Sequence, residues 1–281
     1  DKIKRPHFAF KKFRLGKKRW RFRFNKKPIR LSKRTFTWLI TVLTLVAVSL
    51  SMTYDSLPKS ISVFGLIDRL VPIYRVETNE KKVAISFDAA WGSDITPKLL
   101  EILKKHNIKT TFFLVKFWVD KYPEMTKRIV QEGHELGNHS ATHPRMGSLS
   151  KNQIIEELNR TRDKIKELTG QETVLFRPPF GDYSNTLIST ANELGYYVIQ
   201  WDVDSLDWKD LSANAIYDRV IKQVKPGSIV LFHNNGKHTA EALEPIIVEL
   251  KRQGYEIVPV SQLLIKGDYY IDKSTGEMRK G

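Results

Sequence analysis

The chain has 281 residues, 41% of them hydrophobic, which suffices for one large domain or two smaller ones, and its lack of cysteine excludes disulfides and thiolate metal sites. Its net charge is +16, but residues 1–34 hold 16 Lys/Arg against one acid and carry +15 of that charge. Because the rest of the chain is nearly neutral, the pattern is typical of a basic tail, and no nucleic-acid partner is expected.

The basic tail, residues 1–34, precedes an apolar run that predicts a membrane anchor. Residues 35–54 are 20 residues without a charge, and a helix of that length spans roughly 30 Å, the thickness of a bilayer core. Because the bases come before the run, the positive-inside rule predicts a single-pass anchor with a cytoplasmic N-terminus and an extracytoplasmic remainder. A cleaved signal peptide and a buried soluble helix are the alternatives. Residues 55–70 are interpreted as a stalk.

A folded domain is predicted over residues 71–266, followed by a polar tail over residues 267–281. Its first two strands, residues 73–78 and 83–87, are consistent with a hairpin. Strands and helices then alternate with short connections, which predicts a mainly parallel sheet covered by helices, an incomplete (β/α) barrel. The helices are predicted at residues 96–106, 123–132, 150–169, 184–194, 213–224 and 239–253, and the later strands at 109–115, 135–139, 174–177, 196–203, 228–233 and 256–260.

Polar side chains able to carry chemistry follow the carboxyl ends of these strands. In a (β/α) barrel those ends converge on one mouth, where active sites are built. Unrelated structural residues would not share that position. The sequence therefore predicts that one cleft collects Asp88, His139, His143, Arg177, Asp204, Asp207, Trp208 and His233.

The first candidate function within this group is metal binding by His139 and His143, which are four residues apart. In a helical turn two such imidazoles face the same side and can share one ion. Two imidazoles without a thiolate suit zinc, cobalt or nickel. The alternative is two surface histidines in a polar loop, which the convergent acids disfavour.

Proton transfer is the second candidate function. Asp88 is interpreted as a carboxylate base beside a metal-bound water, against the alternative of a helix cap or turn. Arg177 pairs with a buried acid for structural reasons or holds Asp88 ionised. His233 is a satisfied core histidine or, with its pKa raised by Asp204 or Asp207, an acid that protonates a departing amine.

These residues resemble, in order, the five motifs of the polysaccharide deacetylase family, also called the NodB homology domain or carbohydrate esterase family 4. The resemblance runs over about residues 74–264. The segments that carry it are Ser86-Phe87-Asp88, His139-x-x-x-His143, Arg177-Pro-Pro-Phe-Gly181, Asp204-Ser-x-Asp207-Trp208 and Leu231-Phe-His233.

The resemblance implies a distorted (β/α)7 barrel, an α/β fold, and a metal-dependent hydrolase. Such an enzyme removes acetyl groups from N-acetylated sugars, here N-acetylglucosamine or N-acetylmuramic acid of cell-wall peptidoglycan. It implies that His139 and His143 bind a divalent metal, zinc first, with cobalt or nickel as alternatives. It also implies that Arg177 orients Asp88, the base.

The resemblance also assigns the remaining roles in the predicted cleft. The backbone N–H of Phe180 would help to hold the oxyanion. Asp207 and Trp208 would position and tune His233, the acid. Chemically these roles are coherent, because a tetrahedral oxyanion needs hydrogen-bond donors and a leaving amine needs a proton.

The chain departs from the family pattern at Ala89. The family usually has a second aspartate there, which is the third metal ligand. A methyl group cannot coordinate, so the metal is left with the two histidines plus water, Asp88, or Asp94 reaching back. This variant resembles a PdaB-like, sporulation-associated subgroup, which implies a Gram-positive spore former. The alternative function is a catalytically weak glycan-binding or structural envelope protein on the same barrel.

Overall fold

The computed structural model describes residues 33–54 and 69–281. The chain divides into two compact units, Asp1–Gly65 and Leu66–Gly281. In the first unit, helix α1 spans Lys33–Tyr54 and covers the predicted apolar run. Within the part of the chain that the structure describes, no helix combines the length and apolarity needed to cross a membrane. The predicted anchor stays a prediction, and most of the predicted tail and stalk lies outside the described residues.

In the second unit, short strands alternate with longer helices, as predicted. The strands are β1 Arg75–Val76, β2 Lys82–Ala89, β3 Thr111–Leu114, β4 Glu135–Asn138, β5 Leu175–Phe176, β6 Tyr197–Val198, β7 Val203–Asp204, β8 Ile229–His233, β9 Glu256–Ile257, β10 Tyr269–Ile271 and β11 Glu277–Lys280. The helices are α2 Thr96–Lys105, α3 Lys116–Lys121, α4 Pro123–Gln131, α5 Lys151–Thr169, α6 Asn185–Glu193, α7 Ala213–Gln223, α8 Thr239–Arg252 and α9 Val260–Leu263.

The main sheet is curled and parallel throughout. Its strands lie in the order β6-β5-β4-β3-β2-β8-β7, and β9 pairs with β2. The two end strands, β6 and β7, do not pair with each other in the described chain. The result is a half-barrel covered by helices, consistent with the predicted distorted (β/α)7 barrel.

The central strand β2 contributes side chains to both faces of the sheet, because successive side chains of a strand point to opposite faces. Ile85 and Phe87 pack in the core cluster that contains the side chains of α2 and α8. Ala84 belongs to a second apolar cluster on the other face. Ser86 and Asp88 share that second face by alternation, and both are buried. The alternation therefore places Asp88 inside the curl.

The predicted strand over residues 196–203 is two strands in the structure. β6 pairs with β5 at one end of the sheet, and β7 pairs with β8 at the other. Between them, the Gln200 N–H donates to the Ile73 carbonyl at 2.7 Å. Because the chain passes from one end to the other between residues 198 and 203, those ends lie within about 18 Å of each other.

The first strand and the C-terminus differ from the sequence prediction. β1 pairs in parallel with β11, which pairs antiparallel with β10, so the predicted hairpin between residues 73–78 and 83–87 does not form. Residues 267–281 are not simply a polar tail, because Met278 is fully buried. Met278 is the only apolar residue of β11, and a single apolar residue gives no period to detect.

Candidate active site

The polar residues at the strand ends meet in a single cleft of about 650 Å³. Two of the predicted residues, Arg177 and Asp207, lie beneath its surface and are fully buried. The two exposed aromatic side chains among them, Phe180 and Trp208, are both 56% exposed. The predicted residues that line the cleft are Asp88, His139, His143, Phe180, Asp204, Trp208 and His233.

Asp88 and Arg177 form a buried ion pair at the base of the cleft. The Arg177 Nη1 donates to Asp88 Oδ1 at 2.8 Å, and its Nη2 donates to Ser86 Oγ at 2.9 Å and to the Gln200 carbonyl at 3.2 Å. The guanidinium carbon lies 4.1 Å from the centre of the Phe113 ring. Burial raises the pKa of Asp88, but the charge and hydrogen bond of Arg177, together with the neighbouring His139 and His233, outweigh it and hold that pKa below its usual value. Asp88 is therefore ionised at neutral pH.

His139 follows β4 and is oriented by the backbone. Its Nδ1 lies 2.7 Å from the Arg177 carbonyl, which can only accept, so Nδ1 carries the proton. Burial lowers the pKa of His139, and Asp88 opposes that shift without reversing it. The neutral ring therefore directs the Nε2 lone pair at Asp88 Oδ2, 3.4 Å away. Two acceptors face each other there, an arrangement that suits a cation.

His143 packs among aromatic rings on the same side of the cleft. Its ring centre lies 5.0 Å from that of His139, 4.9 Å from that of Trp91 and 4.6 Å from that of Phe180. Its Nδ1 is buried without a hydrogen-bond partner. Burial lowers the pKa of His143 to about 4, so its ring is neutral at pH 7 and able to act as a ligand.

These residues do not complete the family's three-ligand metal site. Ala89 is fully buried in the apolar core, and Asp94 is not among the residues that line the cleft. Across residues 33–54 and 69–281, no group of three or more His, Cys, Asp or Glu side chains is placed to hold a metal ion. The prediction that Asp94 supplies a ligand is not supported. His139 and His143 remain two candidate ligands, whereas such a site normally has at least three protein ligands.

On the opposite wall, His233 is held by Asp207. The His233 Nδ1 lies 2.8 Å from Asp207 Oδ1, and the His233 backbone N–H donates to Asp207 Oδ2 at 2.8 Å. Burial lowers the pKa of His233, but the hydrogen bond and charge of Asp207, with smaller contributions from the charges of Asp88 and Asp204, outweigh it and raise that pKa above its usual value. Of the two candidate partners, Asp207 makes the contact. Because Nδ1 contacts Asp207, the Nε2 of His233 is available to a ligand in the cleft.

Two further side chains that the sequence interpretation missed hold the site in place. Glu157, on α5, accepts hydrogen bonds from the backbone N–H groups of Ala141 and Thr142 at 2.8 Å each, which fixes the turn between the two histidines. Thr239, the first residue of α8, donates to Asp207 Oδ2 at 2.6 Å. Neither carries a sequence signal, because an acid on an amphipathic helix and a threonine at a helix start are both ordinary.

Strained backbone is concentrated in the loops around the cleft. Six non-glycine residues of the described chain have a left-handed φ, and five of them lie in these loops. Such residues persist only where the surrounding structure holds them, and they cluster at functional sites. The five are Ser140, His143, Phe180, Leu206 and Asp210.

Comparison with known proteins gives the family. A family model described as polysaccharide deacetylase matches residues 75–199. The peptidoglycan-N-acetylmuramic acid deacetylase PdaA of Bacillus subtilis is 36% identical over 206 residues, 72% of this chain and 78% of that protein. The chain belongs to the polysaccharide deacetylase family. The resemblance seen in the five motifs is thus confirmed, whereas the sporulation-associated subgroup stays a prediction.

Similar proteins include both a protein named as a deacetylase and a protein described as a pseudoenzyme. The peptidoglycan-N-acetylglucosamine deacetylase PgdA of Listeria monocytogenes is 36% identical over 210 residues, 73% of this chain but only 44% of that protein. Among solved structures, BA3943 of Bacillus anthracis, described as a CE4 family pseudoenzyme, is 40% identical with a TM-score of 0.67, covering 68% of each chain. A BA3943 mutant is described as having restored enzymatic activity; it is 41% identical with a TM-score of 0.67, covering 68% of this chain and 70% of that one.

Proposed function

We propose that this domain removes N-acetyl groups from the glycan strands of bacterial cell-wall peptidoglycan. The observation that carries the proposal is a base and an acid in one cleft, each with its own buried partner. Arg177 holds Asp88 ionised, and Asp207 favours the protonated form of His233. Surroundings that lower the pKa of one titratable group and raise the pKa of another are the usual basis of acid–base catalysis.

The proposed reaction is hydrolysis of the amide that joins the acetyl group to the sugar nitrogen. Asp88 accepts a proton from water as the water oxygen bonds to the acetyl carbonyl carbon. The resulting oxyanion accepts a hydrogen bond from the backbone N–H of Phe180. Trp208 lines the cleft beside the sugar. The carbon–nitrogen bond then breaks, and His233 gives its Nε2 proton to the departing amine. The products are acetate and an amino sugar.

The names of relatives support the substrate class. PdaA is named for N-acetylmuramic acid and PgdA for N-acetylglucosamine in peptidoglycan. Both sugars carry the same acetamido group, so the cleft chemistry serves either one. The wall glycan is therefore proposed as the substrate, without a choice between its two sugars.

A second candidate is glycan binding without hydrolysis. Ala89 favours it, because alanine cannot supply the third metal ligand. In the described chain no group of three or more potential ligand side chains includes His139 and His143. The likeness to BA3943, described as a pseudoenzyme, favours it as well. On this view the cleft keeps its affinity for N-acetylated glycan while the metal that the family uses is weakly held.

Acetate release tests the proposed function. The purified chain is incubated with peptidoglycan and with N-acetylglucosamine oligomers, with and without added zinc, and acetate is measured. We expect release by the wild type, its loss in Asp88→Asn and His233→Gln, and its retention in Asp218→Asn, an exposed carboxylate on α7. Glycan binding without any acetate release would favour the second candidate. The absence of both binding and release would refute both.

A further inference from the structure

An exposed aromatic pair lies beside the cleft and has no part in the proposed reaction. The side chain of Trp91 is 63% exposed and that of Phe117 is 36% exposed, with ring centres 6.3 Å apart. Trp91 also lines the cleft, and its ring centre lies 4.9 Å from that of His143. The pair is therefore continuous with the catalytic cleft and extends it past His143.

The backbone next to Trp91 is held rigidly from below. The Gly92 carbonyl accepts hydrogen bonds from Trp118 Nε1 at 2.6 Å and from Asn234 Nδ2 at 2.9 Å. Gly92 has a left-handed φ of +65°, and a Cβ there would collide with the Asn235 side chain. The loop is thus fixed by buried contacts. Because this backbone is already fixed, binding a ligand on Trp91 costs little ordering of the loop.

The short helix α3 presents the second ring in the same manner. Phe117 and Trp118 are neighbours in sequence, yet Trp118 is fully buried whereas Phe117 remains on the surface. The Lys116 ammonium next to them is paired with Asp120 at 2.6 Å, so this neighbouring charge is already compensated. The patch is consequently aromatic in character and suits an uncharged ligand.

Exposed aromatic rings in line with a binding cleft mark an interaction site. The faces of an aromatic ring are electron-rich, and the C–H groups of a pyranose ring form an apolar face of matching size. The acetamido group must reach Asp88 and His233, so the neighbouring sugars of a glycan strand have to leave the cleft across its rim. Trp91 and Phe117 lie on that rim.

We infer that Trp91 and Phe117 form an accessory sugar subsite, which stacks on a neighbouring sugar of the same glycan strand. This inference rests on the proposed function, because it needs a glycan in the cleft. It adds a specificity: the chain prefers an oligosaccharide to a single sugar, and the preference arises from these two rings.

The test is binding as a function of oligomer length. N-acetylglucosamine oligomers of one to five units are titrated calorimetrically into the full chain carrying His233→Gln, which prevents turnover. We expect affinity to rise with length and Trp91→Ala to weaken pentamer binding about tenfold or more, with little change for the monomer. Phe117→Ala, which leaves the ring next to His143 intact, should also weaken pentamer binding. Trp91→Phe should restore most of the affinity.

Tyr270→Ala is the matched control, since Tyr270 is 51% exposed on β10 and does not line the cleft. It should bind every oligomer as the parent does. The inference is overturned if the parent binds the pentamer no more tightly than the monomer, or if Trp91→Ala and Phe117→Ala both leave pentamer affinity unchanged. A parent that binds no oligomer of any length would instead count against the proposed substrate, and the subsite would be rejected with it.

Discussion

At the scale of single residues, the buried ion pair between Asp88 and Arg177 links stability to the site. Arg177 has no exposed surface, and its hydrogen bonds end on Asp88, Ser86 and Gln200. We expect Arg177→Met to destabilise the fold by about 3–5 kcal/mol, because it leaves an uncompensated carboxylate in the interior. The same change should raise the pKa of Asp88. Urea unfolding monitored by circular dichroism measures the loss.

A double-mutant cycle separates the charge from the packing of this arginine. In an Asp88→Asn background the buried negative charge is absent, so Arg177→Met should be clearly less destabilising than in the wild type. Equal losses in the two backgrounds would mean that Arg177 acts mainly through its contacts with Ser86, Gln200 and the Phe113 ring. The predicted role of Arg177 in holding Asp88 would then be wrong.

The contact between His233 and Asp207 predicts a pH dependence. The folded-state pKa of His233 is raised, so its protonated form stabilises the fold fully below the unfolded value of about 6.5, and this stabilisation disappears as the pH rises through the folded value. In Asp207→Asn, burial becomes the dominant influence and the pKa of His233 should fall. The alkaline limb of any activity profile should move to lower pH with it. NMR titration, with His233→Gln for assignment, measures the shift.

Asp204→Asn is the matched control for that experiment. Asp204 lies nearby but makes its side-chain hydrogen bond to the Leu206 backbone N–H at 2.9 Å. Its removal should therefore lower the pKa of His233 less than removal of Asp207 does. If the two substitutions gave equal shifts, the direct hydrogen bond from His233 to Asp207 could not be the reason for the raised pKa.

Position 89 distinguishes the two candidate functions. Ala89→Asp adds the carboxylate that the family pattern has there, and we expect it to raise zinc affinity measured by calorimetry and to increase acetate release. Because Ala89 is fully buried, the same change should destabilise the metal-free protein by about 1–3 kcal/mol. Adding His139→Ala should abolish the gained affinity. A wild type that already releases acetate at the rate of Ala89→Asp would contradict the importance of the missing ligand.

At the scale of elements, the C-terminal strand β11 gives a stability prediction. Met278 is fully buried and packs in the apolar cluster that contains Ile73 and Val76. We expect Met278→Ala to destabilise the domain by about 2–4 kcal/mol, measured by thermal or urea unfolding. Tyr270→Ala, at an exposed position of the adjacent β10, should change stability by less than about 0.5 kcal/mol. Similar small effects for both would mean that residues 267–281 behave as the tail that the sequence suggested.

The long helices were predictable because their signals are local. α5 begins after Ser150, which accepts a hydrogen bond from the Gln153 N–H, and ends at Gly170 with a left-handed φ. Both features were visible in the sequence. β6 and β7 were not separable, because each has two residues and the break between them is set by a contact with Ile73, over a hundred residues earlier. Short strands depend on hydrogen-bonding partners that are distant in the sequence, and a single sequence does not show which residues those partners are.

At the scale of the whole molecule, the cleft was predictable and its fine structure was not. Parallel strands share one carboxyl edge, so the strand order alone brought Asp88, His139 and His233 together. The side chains that support that cleft, such as Glu157 and Thr239, depend on side-chain geometry across the barrel. The family resemblance supplied the roles, and position 89 shows its limit: the motif fits while the ligand that it implies is absent.

The positive charge is unevenly distributed along the chain, which gives a prediction for the intact protein. Residues 1–34 carry +15, whereas residues 69–281 hold 30 Lys/Arg and 28 Asp/Glu, a net charge of +2. A chain lacking residues 1–68 should therefore elute from a cation exchanger at much lower salt than the full chain, because charges of one sign clustered in the sequence dominate such binding and are screened by salt. Replacing the bases of residues 1–34 by glutamine should have the same effect without shortening the chain. Strong retention of residues 69–281 alone would show a basic surface on the folded domain that the even balance of its charges does not predict.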